Sequence, residues 1–350
     1  MKETNISRKL LNAKKEIFKK ASQVKGTEIH GMDFNKDLTL HEFVESYKGI
    51  GFQASHLHQA IEIIKKMREE NCTIFLAYTS GIISSGLREV IKYLVENKHV
   101  HVLVTTSGGV EEDLIKTLKP FVLGKFDISG KDLRERGINR IGNILVPNDR
   151  YCLFEDWINP HLKALLEKQR QGENITGSKM INYFGEKINN KDSIYYHAYK
   201  NNIPVFTPAP LDGSIGDMIY FFNQSNPDFK VDIAEDHKKL IDIVINSEKK
   251  GLIILGAGVV KHAVCNASLF GGGADYAVYI NAAQEFDGSD SGATPNEAVS
   301  WGKIKPSNSK YGEGNTVKVF SDATLVFPLI VSEAFKWSST TNLNKWKYFL

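Results

Sequence analysis

The sequence predicts an α/β protein in which a doubly wound, mostly parallel sheet carries helices on both faces. Short apolar runs alternate with stretches in which apolar residues recur at helical spacing. The run Leu252–Leu255 contains no polar residue, which is expected of a strand that is covered on both faces. Three of the apolar runs end in turns of small residues, as is typical where a parallel strand leads into a helix.

The elements follow one another regularly from residue 56. The predicted strands are Thr73–Tyr78, Val100–Thr105, Ile203–Phe206, Leu252–Leu255, Tyr276–Ile280 and Val317–Phe320. The predicted helices are His56–Glu70, Ser84–Asn97, Val110–Leu118, Ile233–Glu248, Val259–Leu269 and Ala323–Phe335. Pro328 should kink or start the last helix. The polar stretches Lys168–Lys179 and Pro306–Thr316 are predicted to be surface connections, and the whole arrangement is Rossmann-like.

Composition excludes several classes of protein. The chain has 350 residues, of which 42% are hydrophobic and 24% charged, so it should fold around a large core. Its formal net charge of +3 does not indicate a nucleic-acid partner. Three scattered cysteines argue against a disulfide scaffold, and no apolar run is long enough to span a membrane. We therefore expect a cytoplasmic protein without a nucleic-acid or membrane partner.

The N-terminal region is predicted to be separate from the α/β domain. Residues 6–21 have an apolar face surrounded by lysines, which indicates a basic amphipathic helix. We expect this helix to pack with its charged face in solvent, and binding to a membrane surface is the alternative. The predicted division is an N-terminal helical extension over residues 1–30 and a single α/β domain over residues 31–350.

Small-residue turns suggest a nucleotide site. Thr79–Gly81, Thr106–Gly109 and Gly256–Gly258 each follow a predicted strand. Such turns bring backbone N–H groups and a helix N-terminus towards a phosphate, so a nucleotide with a pyrophosphate would suit them. Tight turns also use glycine for steric reasons alone, and that alternative remains open. Lys261 stands at the last glycine position of a dinucleotide fingerprint.

The densest group of polar residues lies at 284–303. Carboxylates such as Asp290 and Glu297 accompany Trp301 there, and carboxylates beside an indole suit a polycation. Solvated loop acids are the alternative, and the spacing does not fit a calcium loop. Lys303 is either a surface lysine or a nucleophile that forms a Schiff base. His262 is placed near a helix N-terminus, where it would relay a proton or have a structural role.

Long blocks of this sequence resemble the deoxyhypusine synthase family. The blocks are Glu285–Gly292, Glu297–Ile304, Gly108–Lys116, Gly137–Asn143 and Asp212–Ile219, and the resemblance runs from about Gly31 to Phe335. It implies a transferase that uses NAD to move the aminobutyl group of spermidine to one lysine of eukaryotic initiation factor five-A, which is the first step of hypusine formation. It also implies a homotetramer with active sites between paired subunits.

The resemblance also assigns roles to residues. Lys303 would form the imine, and His262 would orient groups or relay protons. The implied substrate-binding residues are Glu111, Glu112, Asp217, His262, Gly288, Ser289, Asp290, Glu297 and Trp301. The implied cofactor-binding residues are Ser80, Gly81, Ile82, Ile83, Ser84, Thr106, Ser107, Gly108, Glu112, Asp212, Ala257, Ala282, Ala283, Asp322 and Ala323. No metal ligand is implied.

Three exchanges distinguish this chain from the common family pattern. Gly81 stands where asparagine is common, Ala257 replaces a frequent glycine, and Ala282 replaces a frequent threonine. We expect them to act on cofactor affinity rather than on chemistry. The alternative functions are aminobutyl transfer to putrescine by a homospermidine synthase, a weakly active paralogue that binds and activates a partner subunit in a hetero-oligomer, and a general NAD oxidoreductase.

Overall fold

A computed structural model describes residues 5–307 and 314–336. Its strands are β1 (Thr73–Tyr78), β2 (Val102–Thr105), β3 (Val122–Leu123), β4 (Ile138–Ile141), β5 (Ile144–Pro147), β6 (Val205–Phe206), β7 (Lys250–Leu255), β8 (Tyr276–Asn281) and β9 (Thr316–Phe320). Its helices are α1 (Asn5–Ile17), α2 (Leu40–Glu45), α3 (Phe52–Glu69), α4 (Ser80–Ser84), α5 (Leu87–Glu96), α6 (Ser107–Leu118), α7 (Gly130–Glu135), α8 (Asp149–Arg170), α9 (Gly177–Ile188), α10 (Ile194–Asn201), α11 (Ser214–Asn223), α12 (Ile233–Ile245), α13 (Val259–Phe270), α14 (Pro295–Ser300) and α15 (Ala323–Ala334). A 3₁₀ turn, Ser46–Gly49, follows α2.

The main sheet has six strands in the order β6-β2-β1-β7-β8-β9, and every neighbouring pair is parallel. Numbered by their appearance in the chain, these strands have the order 3-2-1-4-5-6 of a dinucleotide-binding sheet. The predicted α/β fold class is therefore confirmed. A second sheet, with the order β3-β5-β4, is antiparallel and was not predicted.

The core lies on both faces of the main sheet. Strands β1, β7 and β8 are buried along their whole length. Ile253 and Leu255 of β7 join one hydrophobic cluster, whereas Leu252 and Ile254 join the other. Side chains of a strand alternate between the faces, so this division shows that helices cover the sheet from both sides.

Some predicted boundaries are wrong. Residues 80–84 form a separate short helix, so Ser84 ends α4 instead of starting α5. The stretch 168–179 is only partly a surface connection, because Ile175 and Thr176 are buried and helices flank them. Pro328 does not start the last helix, which begins at Ala323. The loop predicted at 306–316 falls partly outside the described residues.

The N-terminal helix differs from its prediction in length and in packing. It ends at Ile17 rather than at residue 21. Ile6, Leu10 and Ile17 on its apolar side are 68%, 65% and 74% exposed. The expectation that this helix packs is therefore wrong for the single chain. Among the described residues, no helix combines the length and apolar character needed to cross a bilayer.

A buried ion pair fixes helix α6, which carries two of the candidate site acids. Asp113 is fully buried and accepts a hydrogen bond of 2.7 Å from Arg88 Nε on α5. Its other oxygen accepts bonds from Ser193 Oγ at 2.6 Å and from the Ile194 N–H at 3.0 Å, at the start of α10. One carboxylate thus fixes α6 relative to two neighbouring helices.

We expect Asp113→Asn to lower the free energy of unfolding by about 3–5 kcal/mol, because the buried Arg88 guanidinium then keeps only the exposed Glu89, 3.2 Å away, as a counter-charge. Urea denaturation followed by circular dichroism measures this loss. The matched control is Asp192→Asn, since Asp192 is exposed and lies 3.9 Å from Lys92. It should cost about 1 kcal/mol or less. Equal losses in the two variants would contradict the role given to Asp113.

Candidate active site

The residues predicted to bind the cofactor gather at one edge of the main sheet. They follow the carboxyl ends of its parallel strands, which all meet at this edge. Ser80 follows β1, Thr106 follows β2 and Ala257 follows β7. The edge includes the switch point between β1 and β7, where the strand order reverses and where ligands bind in such sheets.

Glycine has two different roles in these turns. A Cβ on Gly108 would lie 2.8 Å from Ser80 Cβ, and one on Gly256 would lie 2.6 Å from Thr79 Oγ1. The steric explanation therefore holds at both positions. Gly81 and Gly258 are different, because a Cβ at either would meet no atom within 4 Å. They leave open space beside the backbone, so the edge has room for a ligand to approach.

Other residues that were predicted to bind the cofactor cap helices or lie in the core. Thr106 caps α6 by accepting the Gly109 N–H at 3.2 Å, and Asp322 caps α15 by accepting the Thr324 N–H at 2.7 Å. Ile83 is fully buried in the core. The remaining members are placed as follows: Ile82, Ser84, Ser107 and Ala323 are buried, Gly108 and Ala283 are partly buried, and Asp212 and Ala282 are exposed.

Glu111 ties α6 to the start of α11. Its Oε2 accepts a hydrogen bond of 2.8 Å from the Ile215 N–H. A Cβ on Gly213 would lie 2.7 Å from this oxygen, so the missing side chain lets the carboxylate approach. Burial raises the pKa of Glu111, the N–H bonds from α11 oppose the rise, and the negative charge of Asp217 adds to it.

Glu112 has different partners although it is the next residue. It accepts a hydrogen bond from the Ser84 hydroxyl at the end of α4. Burial raises its pKa to about 7, and the Ser84 bond opposes that rise. Lys116, one turn further along α6, donates to the carbonyl oxygens of Ile83 and Ser85 at 2.8 and 2.9 Å. The α4 turn is thus held against α6 beside a carboxyl group that titrates near neutrality.

A second group of predicted residues lies beyond β7 and β8. Lys303 is partly buried, and its Nζ lies 5.5 Å from the centroid of the Trp301 ring. The Lys303 backbone is held on both sides, since its N–H donates to Ala298 O and its carbonyl accepts the Ala274 N–H. Trp301 is 66% exposed, so its ring is open to a ligand.

The remaining members of this group are on the surface. His262, Gly288, Ser289, Asp290 and Glu297 are all exposed. Glu297 is in the first turn of α14, while His262 lies one turn into α13. This group therefore presents carboxylates, an imidazole, an indole and an amine to solvent from three neighbouring segments.

The structure thus places the predicted residues in two groups. One contains Glu111, Glu112 and Asp217, and the other contains Asp290 and Lys303. Within residues 5–307 and 314–336, no hydrogen bond or ion pair joins the two groups. One cavity, of about 540 Å³, is lined by Ala283 and by no other predicted site residue. Glu111 and Glu112 are buried, whereas Asp217, Asp290 and Trp301 are exposed, so in one chain much of the predicted site faces solvent.

Sequence reasoning did not predict that three lysines support this edge through their hydrogen bonds. Lys116 holds the α4 turn, as described above. Lys261 of α13 and Lys318 of β9 donate to backbone carbonyl oxygens of the acidic segment 283–293. Such contacts have no sequence signal of their own. The only hint was a lysine inside the apolar strand Val317–Phe320.

The sheet order and the open edge at the switch point define a Rossmann-like α/β protein. The sequence model of the deoxyhypusine synthase family matches residues 42–334. The chain therefore belongs to the deoxyhypusine synthase family, whose members are transferases that move an aminobutyl group. The resemblance predicted from the sequence blocks is confirmed.

Individual relatives agree with this assignment. The deoxyhypusine synthase of Senecio vernalis is 47% identical over 354 residues, covering 93% of this chain and 94% of the relative. That of Caenorhabditis elegans is 49% identical over 336 residues, covering 88% and 89%. A crystal structure from Entamoeba histolytica, assigned as a deoxyhypusine synthase, has a TM-score of 0.61 at 32% identity and covers 89% of this chain and 98% of its own.

The raised pKa of Glu112 predicts that the free energy of unfolding depends on pH. In the unfolded chain this carboxyl ionises near pH 4.5, but in the folded chain it ionises near pH 7. Stability contributed by the protonated form is therefore lost as the pH rises between these values. Relative to wild type, Glu112→Gln should gain up to about 3 kcal/mol in free energy of unfolding between pH 4.5 and 8.

Urea denaturation at several pH values measures that gain. Glu155→Gln is the control, because Glu155 is exposed on α8. The difference between this control and wild type should stay constant with pH. A constant difference for Glu112→Gln as well would contradict the raised pKa.

Proposed function

We propose that this protein transfers the aminobutyl group of spermidine to a specific lysine of eukaryotic initiation factor five-A, with NAD as cofactor and an imine on Lys303 as intermediate. The observation that carries the proposal is Lys303 itself. It is a partly buried amine beside an exposed indole ring and an acidic loop, in a chain of the deoxyhypusine synthase family.

The residues at the carboxyl edge of the sheet fit a dinucleotide. Gly81 and Gly258 leave space for it beside the backbone, and the Ser80 and Thr106 turns lead into helix N-termini. When bound, NAD would accept a hydride from the polyamine and later return it. The protein's part is to hold the cofactor and to keep water from the reactive imine.

The carboxylates of the site would bind the ammonium groups of spermidine. Asp217, Asp290 and Glu297 are exposed and have charges that complement a polycation. The Trp301 ring would cover the methylene chain and attract an ammonium group to its face. His262, exposed on α13, would orient the polyamine or relay a proton.

Lys303 would carry the four-carbon fragment. Its neutral amine attacks the imine carbon of the oxidised polyamine, and 1,3-diaminopropane leaves with the electron pair of the broken C–N bond. The fragment then remains on Lys303 as a butylimine. The lysine of the acceptor protein attacks the same carbon and displaces Lys303, which regains its free amine. The new imine on the acceptor is finally reduced to the deoxyhypusine side chain.

Two groups of site residues that do not meet in one chain support an oligomeric enzyme. A homo-oligomer, a tetramer with sites between paired subunits, would bring Glu111 and Asp217 of one copy towards Lys303 of another. This assembly also supplies the shelter from water that the exposed Trp301 lacks here. We propose that the enzyme acts in the cytoplasm on its protein substrate.

Lys303→Arg should abolish transfer, because an always-charged guanidinium cannot form the imine. The measurement is borohydride reduction during turnover with labelled spermidine, followed by mass spectrometry of the tryptic peptides. Wild type should carry the aminobutyl mass at Lys303, and the variant should carry none. Lys305→Arg is the matched control, since Lys305 pairs with Asp275 at 2.6 Å and should keep full transfer. Retained transfer in Lys303→Arg would overturn this assignment.

The acceptor is tested separately with the purified chain, spermidine and NAD. We expect an aminobutyl mass gain on one lysine of eukaryotic initiation factor five-A. Product formed only on putrescine would instead indicate a homospermidine synthase. Net accumulation of NADH without any transfer would indicate a general oxidoreductase. Activity that requires a second, related chain would indicate a paralogue that works as a partner subunit.

A further inference from the structure

The acidic segment Ala283–Gly292 is a loop whose two ends are held together by one ammonium group. Lys318 Nζ donates to Ala283 O at 2.8 Å and to Gly292 O at 2.7 Å. Compact surface loops with closely spaced ends are Ω-loops, and they are frequently functional. We call Ala283, Gly292 and the Lys318 ammonium the neck of this loop.

Gly292 is required where the neck closes. A Cβ at this position would lie 1.7 Å from Gln284 O, which is inside any permitted contact distance. Since Gln284 follows Ala283 directly, any side chain at position 292 would force the two ends of the loop apart. The neck therefore depends on a lysine that attracts both ends and a glycine that lets them meet.

A second lysine holds the other side of the loop. Lys261 Nζ donates to Ala293 O at 2.8 Å and also to Asp290 O. The Lys261 side chain is buried, with its ammonium 5.1 Å from the centroid of the Tyr279 ring. Burial lowers the pKa of both Lys261 and Lys318, so their carbonyl bonds must offset the cost of placing two charges here.

Core packing does not determine the conformation of this loop. Residues 284–290 are all exposed, and Gly288 has a φ of +70°. The bonds inside the loop are local, such as the Ser289 N–H to Asp287 Oδ1 at 2.7 Å. The position of Asp290 relative to Lys303 therefore depends on the contacts at the neck and at Lys261.

We propose that Lys318 is a positioning residue for the polyamine, because its ammonium closes the neck and thereby holds Gly288, Ser289 and Asp290 in place. This inference rests on the proposed function. Lys318 is a cation close to a site for a polycation, so its charge and its hydrogen bonds should affect spermidine binding in opposite directions. If only its charge mattered, removing it would reduce repulsion and strengthen spermidine binding. If the neck matters, removing it weakens binding.

The sign of the change in KM therefore decides the question. Lys318→Met removes both donors and keeps an aliphatic side chain. At saturating NAD, we expect the KM for spermidine to rise roughly tenfold or more, with a smaller change in kcat. Amide hydrogen exchange over residues 283–293 should become faster. Lys318→Arg keeps a charged donor and should restore most of the wild-type KM.

Two further variants complete the test. Lys179→Met is the matched control, because Lys179 Nζ also donates to a backbone carbonyl, Asn174 O at 2.7 Å, but lies outside the site. It should leave the KM unchanged. Gly292→Ala opens the neck without changing any charge and should raise the KM as Lys318→Met does. This variant also decides the question if Lys318→Met fails to fold.

Other results would overturn the proposal. A KM for spermidine that is unchanged or lower in both Lys318→Met and Gly292→Ala would show that the neck does not position the polyamine. Failure of the proposed function is recognised separately, in wild type. If wild type binds spermidine in calorimetry but forms no adduct at Lys303, the proposed function fails, and the dissociation constants then replace KM in the same comparison. Wild type that binds no spermidine overturns both.

Discussion

The parallel direction of the six main strands is the constraint on which the candidate site depends. Because the strands share one direction, the turns that follow them meet at one edge of the sheet. Ser80 and Asp322 are far apart in the sequence but lie at this same edge. The register of β1 with β7, such as Tyr78 opposite Leu255, brings the turns on either side of the switch point level with each other.

The sequence predicted the central strands because burial on both faces gives a continuous apolar run. Thr73–Tyr78 was predicted with its exact bounds, and β8 extends one residue beyond its prediction. The region between β2 and β6 was hardly predicted. Its helix α8 contains Pro160, and a proline inside a sequence usually predicts the end of a helix. Strand β3 has two residues and is exposed, so no periodicity could reveal it.

The candidate site was predicted in its residue types but not in its contacts. Glu111 and Glu112 are adjacent residues of the same type. Glu111 nevertheless accepts a hydrogen bond from a backbone N–H of α11, whereas Glu112 accepts one from a hydroxyl of α4. Which partner each carboxylate meets depends on helix packing that involves distant residues. Partly buried cations at backbone carbonyl oxygens, such as Lys318, leave little signal in sequence patterns for the same reason.

The use of carbonyl oxygens by these lysines has an electrostatic consequence. Had Lys261 and Lys318 paired with carboxylates, they would have neutralised the acids of the site. Instead, among the residues that the structure describes, Asp290 and Glu297 take part in no ion pair. The Lys261 ammonium still attracts both carboxylates through space, but neither is paired directly, so both can meet the ammonium groups of a polyamine. A loop can thus be held by cations and still bind a polycation, provided that the holding bonds go to the backbone.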